Sequence, residues 1–147
     1  MRVSVLGPVQ VDGGGLPLGR RDRVTLAALT LRRGSPVRAD VIADILWDEQ
    51  PPPSAAKVVK GCIVRIRKAL GAGAIVTTET GYRLCLHHDE VDVAVFEDLV
   101  ARSRQLLGTR QPDRARFLSS RARSLWRSDP YPEIAQWTEA AGAIDRL

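Results

Sequence analysis

Lys57, Lys60, Arg65, Arg67 and Lys68 fall between Ser54 and Gly71 with no Asp or Glu among them. Cations gathered without counter-charges suit phosphate neutralisation, and an arginine can also pair in a two-pronged way with guanine. A surface helix that serves solubility alone mixes signs, because Glu–Lys pairs four residues apart support it. A second group, Arg20, Arg21 and Arg23, is opposed locally only by Asp22. Arg20, Arg21 and Arg38 lie at expected helix starts, where free backbone N–H groups also draw phosphate. The acids collect elsewhere, at Asp40, Asp44, Asp48 and Glu49.

Other chemistries find little support. Gly13-Gly14-Gly15 lacks the GK[ST] continuation of a phosphate loop, and no G-x-S-x-G elbow occurs. Asp40, Asp44 and Asp48 share a helix face at i, i+4 and i+8 and read as a solvated acidic stripe. His87 and His88 have no partner at ligand spacing. Cys62 and Cys85 are too few for a disulfide framework or a zinc site. Neither an enzyme, a cofactor nor a metal is expected.

The elements that carry these residues follow from periodicity and breakers. Arg2–Leu6 and Val9–Val11 alternate like short antiparallel strands around Gly7-Pro8, with Leu16-Pro17-Leu18 as an edge piece. The spacing predicts a helix from Gly19 to Arg33 and a second from Val37 to Trp47, ended by Pro51-Pro52-Pro53. Ser54 is placed to cap a third helix. Its apolar stripe is Ala55, Val59, Ile63, Ile66 and Leu70, with Cys62 and Ala69 flanking. Lys57, Lys60, Gly61, Val64 and Lys68 fall opposite, and Arg65 and Arg67 fall at the margins, where Arg65 could also turn into an internal salt bridge. Gly71 closes this helix. A glycine on its outer face lets a backbone approach, or is simply tolerated there. Ala74–Thr78 and Tyr82–Leu86 flank a short turn and predict a hairpin. From Glu90 the pattern is helical to the end, with Pro112 starting one helix and Ile134 to Leu147 forming the last. Trp47, Trp126 and Trp137 read as packing residues.

The chain has 147 residues, 22 Lys+Arg against 17 Asp+Glu, and 44% hydrophobic residues. That length fits one ordinary domain or two small ones. No apolar run is long enough to cross a membrane, and the N-terminus lacks the pattern of a secretory signal, so a cytoplasmic chain without membrane contact is expected. The charge divides almost evenly: 13 bases and 10 acids before residue 93, then 9 and 7. Placement therefore matters more than balance. Two helices, a proline loop, a basic helix and a hairpin form the order of a winged helix-turn-helix. There the basic helix fits the major groove and the wing lies along the minor groove.

Several stretches carry a resemblance: Met1–Val11 (MRVSVLGPVQV), Asp44–Pro52 (DILWDEQPP), Val64–Gly71 (VRIRKALG), Gly81–Leu84 (GYRL), Glu90–Phe96 (EVDVAVF), Leu125–Arg127 and Pro132–Trp137. In order and spacing the sequence resembles the Streptomyces antibiotic regulatory protein family. The resemblance implies an α+β fold. It comprises a winged helix-turn-helix with N-terminal antiparallel β-strands and a C-terminal β-hairpin wing, then an all-α tetratricopeptide-like segment. Residues 1–89 would be an OmpR-type DNA-binding domain and 90–147 an incomplete helical transcriptional activation domain. The implied function is sequence-specific activation of antibiotic biosynthesis genes at the nucleoid. A head-to-tail homodimer would bind direct repeats of double-stranded DNA. Expected DNA contacts are Lys57, Lys60, Val64, Arg65, Arg67 and Lys68 on the third helix, Thr78, Thr80 and Arg83 on the wing, and Arg20, Arg21 and Arg38. Asp48, Glu49 and Gln50 would face RNA polymerase. Cys62 and Val64 depart from the polar or aromatic residues more usual in that family. A protein-binding winged helix, or the N-terminal piece of a larger regulator, are the alternative readings.

Overall fold

The structure is a computed structural model that describes residues 2–13 and 17–147. The Gly13-Gly14-Gly15 turn is described only at Gly13, and Met1 and Leu16 also lie outside the described residues. Two short strands, β1 (Val3–Ser4) and β2 (Gln10–Val11), pair antiparallel with Val3 opposite Val11. Three helices follow: α1 (Arg20–Leu31), α2 (Ala39–Trp47) and α3 (Ala55–Leu70). Strands β3 (Ile75–Thr77) and β4 (Tyr82–Leu84) make the antiparallel hairpin. The remainder is helical: α4 (Asp92–Gly108), α5 (Pro112–Ser124) and α6 (Thr138–Ile144).

Four local expectations need correction. Pro17 and Leu18 form no strand. Val37 is not helical: its N–H donates to the Tyr82 carbonyl (2.8 Å) and its carbonyl accepts from the Tyr82 N–H (2.9 Å). This pairing holds Val37 extended, so α2 starts only after Arg38. Ser54 does not cap α3 through its side chain. Its φ/ψ of −83°/0° is not the extended conformation that aims a hydroxyl at the first-turn amides. The last helix also starts later than predicted. Tyr131 is left-handed (φ 50°), and i→i+3 turns carry the chain from there to Trp137.

One hydrophobic core runs the length of the described chain. Val3, Val5 and Leu6 meet Leu26 and Leu29 of α1, Ile63 and Ile66 of α3, Val93 and Phe96 of α4, and Tyr131 and Ala140 beyond. The cluster crosses residue 89 without a break. The buried Asp92 carboxylate fastens that crossing: it accepts from the Val5 N–H (2.8 Å) and the Leu6 N–H (2.9 Å). Arg127 and Tyr131 N–H groups donate to the Leu6 and Val5 carbonyls. Val3 bridges Val91 in parallel. Among the described residues no helix is long and apolar enough to cross a membrane.

Candidate nucleic-acid interface

The stripe of α3 buries Ala55, Val59, Cys62, Ile63, Ile66 and Leu70, which leaves its other face to solvent. Lys57, Lys60, Val64 and Lys68 all stand exposed there. Val64 is 44% exposed, the apolar member of a cationic face. Neither Lys57, Lys60, Lys68 nor the wing's Arg83 has a carboxylate at ion-pair distance among the described residues. A Cβ built on Gly61 would touch only the Arg65 guanidinium, at 3.4 Å. Packing inside the chain therefore does not require this glycine.

The other cations of the cluster are held. Arg65 turns to α1, where its Nε donates to Asp22 Oδ1 (2.9 Å) and its Nη2 sits 2.8 Å from the same oxygen. It is thus no free phosphate ligand, although half its side chain remains in solvent. Asp22 also accepts from the Gly19 N–H at the start of α1. Burial pushes the Asp22 carboxyl up, but the bonds from Arg65, Cys62 and Gly19 together outweigh it and hold it below the ordinary carboxylate range. Burial and the neighbouring Asp22 push the Cys62 thiol up. Arg67 donates from Nε to the Ile75 carbonyl and from Nη2 to Thr77 Oγ1, both at 3.0 Å. It locks the basic helix to the first strand of the wing.

The wing itself turns at Thr78–Gly81. The Thr78 N–H donates to the Gly81 carbonyl (2.7 Å), and the Thr78 hydroxyl bridges the same residue, so this threonine closes the turn. Thr80 and Arg83 are exposed. Gly81 has no room for a side chain: a Cβ there would run into the Val37 carbonyl and lie 2.8 Å from Arg38 Cα.

The remaining candidates are Arg38, which lies against the wing turn, and Arg20, Arg21 and the Asp48–Gln50 loop. Arg38 pairs with Asp40 on the surface (2.6 Å). Arg21 lies over the Trp47 ring, 5.3 Å from its centroid. Arg20 lines a cleft with Asp44, Asp48 and Glu49. Asp48 and Glu49 take left-handed backbones (φ 51° and 64°), fixed by the Glu49 N–H to the Asp44 carbonyl (2.9 Å). Both acids and Gln50 are exposed. Trp47, Trp126 and Trp137 are all partly buried and packed against the core; Trp126 meets Phe96 edge-on at 5.5 Å, and Trp47 and Trp137 also line the cleft. No group of three potential metal ligands occurs among the described residues. Sequence reasoning missed Asp22, Gly81 and the cleft wall at Pro132–Glu139. Each acts on a partner far along the chain, which spacing does not show.

A helix pair presenting a basic third helix, braced by a hairpin wing, defines a winged helix-turn-helix domain. No family model matches the chain. It is 36% identical to Regulatory protein AfsR of Streptomyces coelicolor over 130 residues, covering 86% of this chain and 13% of AfsR. It is 28% identical to Regulatory protein DnrI of Streptomyces peucetius over its full length, covering 59% of DnrI. Transcriptional regulatory protein EmbR of Mycobacterium tuberculosis is 32% identical over 63% of this chain. The structure of M. tuberculosis EmbR in complex with a low-affinity phosphopeptide superposes with a TM-score of 0.86 at 24% identity. The match covers 99% of this chain and 41% of EmbR and shows the shared fold. These relatives are regulators of the Streptomyces antibiotic regulatory protein family, and the chain is similar to them in a manner consistent with that type of domain. It spans between 13% and 59% of the AfsR and DnrI lengths.

Proposed function

We propose that this chain is the DNA-binding part of a sequence-specific transcriptional activator of antibiotic biosynthesis genes, acting in the cytoplasm at the nucleoid. The single observation that carries the reading is the outer face of α3. It is cationic and free of acids, and Arg67 couples it to the wing. In this reading α3 enters the major groove, with Lys57, Lys60 and Lys68 on phosphates and Val64 against a base edge or thymine methyl. Arg83 and Thr80 reach the backbone beside the minor groove. Arg65 and Arg67 position the helix and the wing, and Thr78 shapes the turn. Arg20, Arg21 and Arg38 serve as peripheral phosphate contacts. Residues 1–89 are the DNA-binding domain and 90–147 the opening part of the activation domain. Two copies sit head-to-tail on direct repeats, and the Asp48-Glu49-Gln50 loop meets RNA polymerase.

Titration of affinity against salt tests the DNA contacts. Each phosphate contact contributes roughly −0.9 to the slope of log K against log salt. Lys57→Ala and Lys60→Ala should each flatten that slope by about one unit without changing which sequence is preferred. Slopes unchanged in both variants, and in Lys68→Ala, would remove α3 from the interface.

A further inference from the structure

The structure holds two surfaces, apart from the α3–wing face, that are opposite in charge. The first is a cleft of about 710 Å³ between α1–α2 and the segment Pro132–Glu139. Its apolar lining includes Trp47, Ile45, Ile134 and Trp137. Carboxylates of Asp44, Asp48, Glu49 and Glu139 line it, against the guanidinium groups of Arg20 and Arg32, while the Glu133 carboxylate turns inward and accepts from the Val9 N–H (2.8 Å). Arg32 is already neutralised by Glu139 at 2.5 Å. The cleft is therefore an acidic site on a chain of net charge +5.

The second surface is α5 and its approach. Residues 101–127 contain eight arginines and a single acid, Asp113. Phe117 projects from the outside of α5 and is 62% exposed, the highest value among the large apolar side chains described. At 100° per residue, Arg114 and Arg121 fall along one side of it and Arg116 and Arg123 along the other. All four are exposed, and none has a carboxylate at ion-pair distance among the described residues. An aromatic knob with arginines around it is the anatomy of an interface anchor.

We propose that α5 of one copy docks in the cleft of the next copy. Phe117 enters between the Trp47 and Trp137 walls, and the flanking arginines meet the carboxylate rim. A knob and a hole on different parts of one chain make a heterologous contact, which propagates head-to-tail and leaves one free cleft at the end of any pair. The inference rests on the reading of paired copies on DNA and names the surfaces that pair them.

Two variants test this by complementation. Phe117→Ser/Arg121→Glu removes the knob, and Asp44→Arg/Gln136→Arg spoils the hole. Mobility shifts are read on DNA with one half-site and with two. The unaltered chain should bind the second half-site with about tenfold cooperativity, within the usual range of coupling between sites. Each variant alone should lose that factor and keep its one-site affinity. An equimolar mixture should regain it, because one intact knob then meets one intact hole. Sedimentation of the same mixture at low salt, without DNA, should show dimers where each variant alone shows monomers. Cooperativity retained by either variant, or not restored in the mixture, overturns the docking. A parallel loss of one-site affinity in the knob variant also overturns it, since α5 would then be a DNA contact. Failure of the unaltered chain to bind either probe counts against the DNA reading instead, and sedimentation still decides the contact between copies.

Discussion

Asp22 shows how a single carboxylate can sort a cationic cluster. By taking the Arg65 guanidinium, it withdraws one of the five cations of α3 and ties α3 to the first turn of α1. Its carboxyl lies below the usual range when folded. Its stabilisation is therefore complete above the unfolded value near 3.8 and is lost as pH falls through the lower folded value. Asp22→Asn should cost roughly 1–2 kcal/mol near neutrality, the lower part of the charged-bond range because Arg65 is half exposed. It should also remove this step from the acid limb of a stability–pH curve. Urea titrations at pH 7 and at pH 3 check both, and a constant difference between the two proteins at all pH values would contradict the assignment. The sequence offered the margin position of Arg65 and the alternative of an internal pair. It could not name Asp22, which lies 43 residues away.

At the scale of elements, most of the fold was legible. Pro51–Pro53 and Gly71 punctuate α3, the apolar stripe sets its buried face, and β-prone runs around Gly81 give the wing. The illegible parts are those that a neighbour imposes. Val37 reads as helical from its local pattern, yet pairing with Tyr82 draws it into the sheet edge. Ile134–Trp137 reads as helix, yet the left-handed Tyr131 and its buried ring set the chain in turns. That bridge at Val37 explains why Gly81 must lack a side chain, and it sets the angle of the wing to the helices. Gly81→Ala should force the wing and the Val37 strand apart, at a cost of about 1–3 kcal/mol, typical of overpacking. DNA affinity should fall more than the loss of any single wing contact would explain. Thermal unfolding together with one-site affinity measures this, and a variant with unchanged melting would show that the approach is looser than the backbone distance implies.

Over the whole molecule, the boundary expected at residue 89 is a boundary of chemistry. The proposed DNA face lies before it and the arginine-rich helices after it, yet the core is shared. Asp92 is the residue that makes the two sides inseparable, because it satisfies two buried amides of the N-terminal turn. Asp92→Ala strands both donors, and each buried unsatisfied group costs about 1–3 kcal/mol. A loss of about 3 kcal/mol is expected by urea denaturation. Calorimetry of the unaltered chain should show one transition; two separate transitions would show that the halves fold apart.

The clasp also bears on how this protein tolerates being cut. A nick after His88 severs one covalent link and leaves in place the Asp92 bonds, the Arg127 and Tyr131 amide bonds to the N-terminal turn, and the shared apolar contacts. Residues 1–88 and 89–147, made as separate polypeptides, are thus expected to find each other and rebuild the DNA face. The protein would then form a split pair whose reassembly restores the basic face of α3.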